Sequence, residues 1–370
     1  MPEAAARIAV VGGALRCDRG AVLRAVIFDL DDTLVPETRA WQEALAATCS
    51  PLEERIRVAP GFLAEMVEAI GRARFDGLAG GRGFGPTHGI TWEECLWGKL
   101  GPESALKLPG LAAVASMLRA SIWLDALRTA GIEAAELAKE LDRRYPLERR
   151  TRHRLYPDAV PVLGALRARG LTLACVTNGA PEVQREKLRE TGVEALFDVV
   201  LVSGEEGVGK PDPAILLLAC DRSGVKPGEA LHVGNSRARD VACAAGAGLR
   251  SVLVDRPEGA RDEPGPAAPP PDRVIFELSG LLGLVDGGRA GRAFRLLEKG
   301  RGLAVDEPVA DGSRFLVRVG PERDELRPAV SGPTPAGAIQ AALRSLRARG
   351  GSETFLHELG EPVDWDAVLR

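Results

Sequence analysis

The sequence lacks any C-x-x-C pair: its six cysteines, Cys17, Cys49, Cys95, Cys175, Cys220 and Cys243, are scattered, several of them in apolar strand or helix contexts. That is the usage of small buried hydrophobes in a reducing compartment, and a cytoplasmic location is expected. Histidine is scarce and dispersed. His88, His153, His232 and His357 do not suggest a zinc site, and His232 beside Val233 reads as a packed strand residue. Long apolar runs are missing as well, since Arg119 divides the best candidate, between Leu108 and Leu124, and no membrane span is expected. Ile8 to Val11, ahead of Gly12 and Gly13, is too short for a secretory signal, so residues 1–20 read as a tail or an extra strand. Neither sign of charge dominates: 48 Lys and Arg stand against 52 Asp and Glu, for a formal net charge of -4. Nothing in that balance calls for nucleic acid or an anionic membrane, and a small-molecule partner is the default.

What is present is an ordinary globular composition over 370 residues, enough for about two or three domains. Residues 24–34 carry the most information. Val26, Ile27 and Phe28 suit a strand buried on both faces, and the run ends abruptly in Asp29 and Asp31, followed by Thr33 and Leu34. Ligands of open parallel sheets bind at the C-terminal ends of strands. Two carboxylates there suggest a bound cation or an acid and base pair, with a plain polar turn as the alternative. A Ca²⁺ loop is rejected, because Thr33 and Leu34 stand where an acidic or amide residue and a glycine are needed.

After Pro36 the pattern is helical for more than a hundred residues, with segments near 39–49, 61–74, 110–129 and 133–144. Within it, Gly77, Gly80, Gly81, Gly83, Gly85 and Gly89 predict a loop too rich in glycine for a regular element. Arg82 and His88 in that loop are either surface residues or contacts for an anionic substrate. From Pro157 helix and strand alternate: helices over 158–169, 181–189, 213–222 and 237–245, and strands over 171–177, 197–203, 230–233 and 249–254. Repeated βα units mean a parallel sheet covered by helices, and the strand at 25–29 finds partners only by joining it across the insert. A loop rich in proline and charge runs from Arg256 to Arg273. The expected class is therefore α/β, a Rossmann-like parallel sheet covered by helices, with an inserted α-helical cap and a small C-terminal α+β appendage. The boundaries are a tail at 1–20, a discontinuous core at 21–36 and 157–286, a cap at 37–156 and an appendage at 287–370, with helices near 290–299 and 335–349 and strands near 315–319 and 354–357. The appendage's arginines read as a solvated face, because no nucleic-acid signature accompanies them.

Three further strand ends carry polar residues. The strand ending at Val176 leads to Thr177, Asn178 and Gly179, whose hydroxyl and N–H groups can cradle an anion. The next leads to Lys210-Pro211-Asp212, which fits G-x-x-x-x-G-K from Gly204 but is no phosphate-binding P-loop, since Pro211 offers neither hydroxyl nor N–H. The third leads to Gly234 and Asn235, with Asp240 in the first turn of the following helix.

In this order and spacing, Asp29-Leu30-Asp31-Asp32-Thr33, Thr177, Lys210-Pro211-Asp212 and Gly234-Asn235 to Asp240 resemble the four motifs of the haloacid dehalogenase superfamily, over residues 25 to about 285. An insert between the first and second motifs resembles the helical-cap subgroup. The resemblance implies a Mg²⁺-dependent phosphomonoesterase acting on a small phosphorylated metabolite through an aspartyl phosphate. Asp29 is then the nucleophile and Asp31 the proton donor and acceptor; Thr177, Asn178 and Lys210 hold the phosphoryl group; Asp29, Asp31 through its carbonyl, Asn235 and Asp240 hold the metal. Dehalogenating members lack the second aspartate, because a halide leaves without a proton. Asn235 departs from the aspartate usual in such phosphatases and brings no charge to the metal. A phosphomutase, or a phospho-ligand-binding protein with weakened turnover, are the alternatives; the sequence leaves the substrate, the oligomeric state and the appendage's role open.

Overall fold

Short β-branched and apolar runs make the strands, because every one of their side chains has a covered face to enter. In the computed structural model, which describes residues 22–79, 83–256, 269–285, 296–298, 301–306, 315–321 and 330–332, these runs become β1 (Ala25–Phe28), β2 (Thr172–Thr177), β3 (Val199–Val202), β4 (Ala230–Gly234) and β5 (Arg250–Val254). They lie in the order β3-β2-β1-β4-β5 and are all parallel. The first strand in sequence is thus central. Phe28 pairs with Cys175 on one side and Val233 on the other, so the residues that follow each strand emerge together. All four residues of β1 are fully buried, and Ile27 and Phe28 each contribute about 1.5–3 kcal/mol by leaving water.

The helices of the insert are α1 (Glu37–Ile56), α2 (Phe62–Ala79), α3 (Phe84–His88), α4 (Trp92–Trp97), α5 (Pro102–Lys107), α6 (Leu111–Thr129) and α7 (Ala135–Arg150). They share a core built on Trp41, Leu45, Phe75, Trp92, Trp97, Leu118, Ile122, Trp123 and Tyr145, with Trp41 and Trp92 packed edge to face at 5.8 Å. Two sequence stops are overridden. The helix expected over 39–49 continues through Pro51 to Ile56, where buried Leu52 anchors it and Glu53 accepts Gly61 N–H and Leu63 N–H, each at 2.8 Å. The helix expected over 133–144 continues through Pro146 to Arg150, which brings Arg149 into the interior. The glycine-rich loop is shorter than expected: Gly77 lies in α2 and Gly85 in α3, because buried Phe75 and Phe84 hold the flanking turns. Gly80, Gly81 and Arg82 fall outside the described residues.

The core's own helices are α8 (Ala159–Ala168), α9 (Pro181–Glu190), the single turn α10 (Ser203–Glu206), α11 (Ala214–Arg222) and α12 (Ala242–Ala247). Ile215, Leu216, Cys243 and Ala244 from the last two pack on the sheet face that carries Ile27 and Val176. Instead of one helix over 237–245, a wide π-type turn over Arg237–Val241 precedes α12; such turns re-aim side chains, and this one carries Asp240. Cys49, Cys95, Cys175, Cys220 and Cys243 are buried and unbridged. Among the described residues no helix is long and apolar enough to cross a membrane.

The chain divides into one compact unit over Cys17–Pro271 and another that includes Asp272–Arg370. In the second unit β6 (Arg273–Ile275) and α13 (Gly280–Val285) precede β7 (Leu296–Glu298), β8 (Arg301–Asp306), β9 (Phe315–Pro321) and β10 (Val330–Gly332). The last four form an antiparallel sheet in the order β10-β9-β8-β7. The strand expected at 315–319 lies within β9, whereas residues 296–298, expected in a helix, pair antiparallel with β8. The elements expected at 335–349 and 354–357 lie outside the described residues.

Candidate active site

Strand ends place the polar groups. Asp29 follows β1 directly, donates its N–H to Val233 O at 2.8 Å, and accepts Thr33 Oγ1 at 3.1 Å on Oδ2. Lys210 Nζ lies 2.5 Å from Asp29 Oδ1 and 2.6 Å from Asp240 Oδ1, so one ammonium bridges the carboxylates that follow β1 and β4. Asp240 Oδ2 accepts Ser236 N–H at 2.8 Å, and the buried His232 ring reaches Asp240 Oδ1 and Ile27 O, each at 3.1 Å. The packed strand histidine therefore also braces an acid. Gly234 is required beneath it: a Cβ there would overlap the Asp240 carboxylate.

Burial pushes the Asp29 carboxyl up to about 6, against the pull of Lys210 and with the push of nearby Asp240. Burial works on Asp240 in the same sense, yet Lys210 and His232 hold it far below the ordinary carboxylate range. One ammonium thus serves two buried carboxylates, and the site is short of positive charge.

Thr177 closes β2, its hydroxyl donating to Gln184 Oε1 at 3.1 Å. The Asn178 amide donates to Lys210 O at 2.7 Å and accepts Lys210 N–H at 2.9 Å, which fixes the backbone that presents the lysine. Its peptide bond to Pro211 is cis. Gly179, at φ 150°, donates its N–H to Ser203 Oγ at 2.9 Å and sits where a Cβ would overlap Gln184 and Glu94.

Asp31 lies beyond the strand, in a turn that Asp32 shapes: Asp32 adopts φ 57° and accepts Thr38 N–H at 2.9 Å and Thr38 Oγ1 at 2.5 Å. Lys187 Nζ stands 3.1 and 2.9 Å from the two Asp31 oxygens, and Gln184 Nε2 donates to Oδ2 at 3.2 Å. Burial raises the Asp31 carboxyl above its ordinary value while Lys187 pulls it down.

Asp29, Asp31, Thr177, Asn178, Lys210, Asn235 and Asp240, all expected from sequence, line one cavity of about 490 Å³. The insert supplies the opposite wall, with Trp41, Gln42, Glu68, Arg72, Thr91, Trp92, Glu93 and Glu94. His88 is not among the lining residues; it contacts Ser203 O at 3.2 Å and accepts Ser203 Oγ on its own carbonyl at 2.6 Å.

Residues 23–248 match the family model of the haloacid dehalogenase-like hydrolases. The chain belongs to that family. A phosphoserine phosphatase from Thermus thermophilus is 39% identical over 253 residues, covering 67% of this chain and 94% of the relative. A glyceraldehyde 3-phosphate phosphatase from Methanopyrus kandleri is 28% identical over 264 residues, covering 71% and 97%. Among solved structures, a 2-haloacid dehalogenase from Pseudomonas syringae covers 72% of this chain and 99% of its own, at 26% identity and a TM-score of 0.43.

Sequence reasoning about this haloacid dehalogenase-like hydrolase missed six side chains at or behind the site: Gln184 and Lys187 from α9, Glu37 and Arg149 from the ends of α1 and α7, and Glu93 and Glu94 from α4. A signal for the first two existed. Val183, Gln184, Lys187 and Leu188 form the buried stripe of α9, and a glutamine and a lysine on a buried stripe need partners. Glu94 follows Thr91 by three residues, the spacing of a helix N-terminus, and Thr91 Oγ1 does accept its N–H at 3.4 Å.

Glu93 and Glu94 are buried beside each other, and burial pushes them up to about 7 and about 8. Trp97 Nε1 donates to Glu93 at 3.2 Å and Gln184 Nε2 to Glu94 at 2.8 Å. A carboxyl whose folded value is raised contributes stability that is complete below its unfolded value of 4.5 and is lost as the pH rises through about 8. Glu94→Gln, which cannot ionise, therefore gains on the wild type as the pH rises from about 5 to about 9. Thermal melting across that range checks it; a constant difference in Tm contradicts a neutral Glu94.

Proposed function

We propose that this hydrolase is a Mg²⁺-dependent phosphomonoesterase that acts on a small phosphorylated metabolite through an aspartyl phosphate on Asp29. The observation that carries the reading is the placement of Asp31 on the same cavity as Asp29, with its carboxyl held in place. A phosphate ester expels an alkoxide, which needs a proton, whereas a halide does not. The names of the relatives, phosphoserine phosphatase and glyceraldehyde 3-phosphate phosphatase, point the same way.

In this reading Asp29 attacks phosphorus in line with the leaving oxygen, and Asp31 gives that oxygen its proton. Water then attacks the phosphorus of the aspartyl phosphate, the P–O bond to Asp29 breaks to restore its carboxylate and release phosphate, and Asp31 takes the water's proton. Thr177 Oγ1 and the Asn178 N–H bind phosphoryl oxygens, and Lys210 neutralises charge on them and on Asp29. The insert over 37–156 acts as a cap whose wall selects the substrate and excludes water.

Among the described residues no three His, Cys, Asp or Glu side chains converge as a ready metal cluster. The donors nonetheless fit a hard cation. Asp29 and Asp240 offer carboxylate oxygen, Asn235 an amide oxygen and Asp31 its carbonyl, all hard donors lining one cavity. When bound there, Mg²⁺ supplies positive charge and offsets the charge of the phosphoryl group. With an amide in place of a carboxylate, binding is weak; Asn235→Asp lowers the Mg²⁺ concentration for half-maximal rate by roughly tenfold. A titration of rate against Mg²⁺ checks this, and an unchanged or higher requirement counts against Asn235 as a ligand.

The test of function is a phosphate-release screen over phosphorylated metabolites with and without Mg²⁺. Metal-dependent release from a small set of monoesters is expected. Metal-independent release opposes the reading, isomerisation without release would make the protein a phosphomutase, and binding without turnover a phospho-ligand receptor.

A further inference from the structure

Asp31 is one end of a buried chain of charges. Lys187 Nζ, bonded to both Asp31 oxygens, also lies 3.0 Å from Glu37 Oε1, and Glu37 Oε2 accepts Arg149 at 2.5 Å. Carboxylate, ammonium, carboxylate and guanidinium alternate, and three elements apart in sequence supply them: the turn after β1 with the start of α1, the last turn of α9, and the end of α7. The side chains of Lys187 and Arg149 are 1% and 0% exposed. Desolvating an ammonium so completely costs several kcal/mol, and replacing an entire buried ion chain by apolar side chains of similar volume is often neutral for stability. Packing alone does not call for a charged chain there, although removing one member of it would strand the others.

We propose that Lys187 is a positioning residue for proton transfer, fixing the Asp31 carboxyl and stabilising the charge that appears on it when it gives up its proton. This rests on the proton-transfer role assigned to Asp31 above. As Asp29 bonds to phosphorus, the P–O bond to the leaving group breaks and its electron pair stays on the leaving oxygen. That oxygen takes the Asp31 proton, and the new carboxylate faces an ammonium already in contact with both its oxygens. No group has to reorganise at that moment. Glu37, held by Arg149, keeps the ammonium from turning away. Gln184 sets the register, since its Nε2 donates to Asp31 while its Oε1 accepts the Thr177 hydroxyl at 3.1 Å.

The test separates leaving groups that need a proton from one that does not. For the wild type, Lys187→Met, Lys187→Arg, Glu37→Gln and Asp31→Asn, kcat/KM is measured with Mg²⁺ on the best alkyl monoester from the screen and on 4-nitrophenyl phosphate. This ratio reports the steps up to leaving-group release, so hydrolysis of the aspartyl phosphate does not mask the effect. Lys187→Met lowers the alkyl value by about a hundredfold and the nitrophenyl value by less than about tenfold; Lys187→Arg recovers most of the loss. Glu37→Gln, which leaves the lysine in place and loosens its anchor, gives a smaller split of the same sign and carries the test should the methionine variant not fold. Equal losses on both substrates in variants that melt cooperatively would reduce Lys187 to a structural role and overturn the proposal. Asp31→Asn separates the two levels: a split there without one at Lys187 sinks only the positioning role, and no split there sinks the role of Asp31 and this inference with it.

Discussion

Asp29→Asn abolishes turnover, with kcat lower by at least about 10⁴-fold, while the protein stays folded. The amide oxygen can stand in for Oδ1 and accept from Lys210 Nζ, now at 2.5 Å, while the amide NH2 stands in for Oδ2 and donates to the Thr33 hydroxyl, now at 3.1 Å, so the geometry survives. What disappears is the anion that bonds to phosphorus in the proposed mechanism. Stability should hold or rise, because burial already favours the neutral form of this side chain and has moved its carboxyl up to about 6. Phosphate release and thermal melting on the same preparation check both halves. Appreciable activity in a well-folded variant would remove Asp29 from the chemistry; loss of activity together with a collapsed Tm would make it a structural acid.

Lys210→Met has the second large effect, on stability and rate together. Lys210 touches Asp29 and Asp240, all three side chains are nearly inaccessible, and without the ammonium two buried carboxylates face each other. Breaking such a pair from one side costs about 3–5 kcal/mol, and loss of one stabilising group at a phosphoryl oxygen costs about 10²–10³ in kcat. Mg²⁺ should return part of the lost Tm, since, bound as proposed, it would restore positive charge at the same carboxylates. In an Asp29→Asn background the same replacement costs less, because one of the opposed charges is gone. Denaturant unfolding of the two single variants and the double variant, with and without Mg²⁺, measures this; additive losses would mean that Lys210 and Asp29 do not interact.

The residues legible in the sequence share one property: each stands just after an apolar run. A parallel sheet brings the C-terminal ends of its strands to one edge, so Asp29, Thr177 and the segments bearing Lys210, Asn235 and Asp240 meet wherever the helices fall. The cap wall has no such rule. Glu37 and Arg149 are 112 positions apart, and their pairing follows from how α1 packs on α7, which periodicity does not encode. Lys187 is legible only through the helical stripe it shares with Val183, Gln184 and Leu188. Apart from that stripe, Pro181-Glu182-Val183-Gln184-Arg185-Glu186-Lys187 reads as a charged surface helix until Asp31 is known to lie beneath it. The helices run through Pro51 and Gly77 and take in Gly85 because burial of Leu52, Phe75 and Phe84 outweighs local preference over one or two turns.

The central claim is that Asp29 carries the phosphoryl group. Acid quenching of the wild type during turnover of a radiolabelled monoester, followed by peptide mapping, tests it most directly. The account predicts label on the peptide containing Asp29, absent from Asp29→Asn. Release of labelled phosphate with none retained on the protein, or label on a different residue, would contradict it.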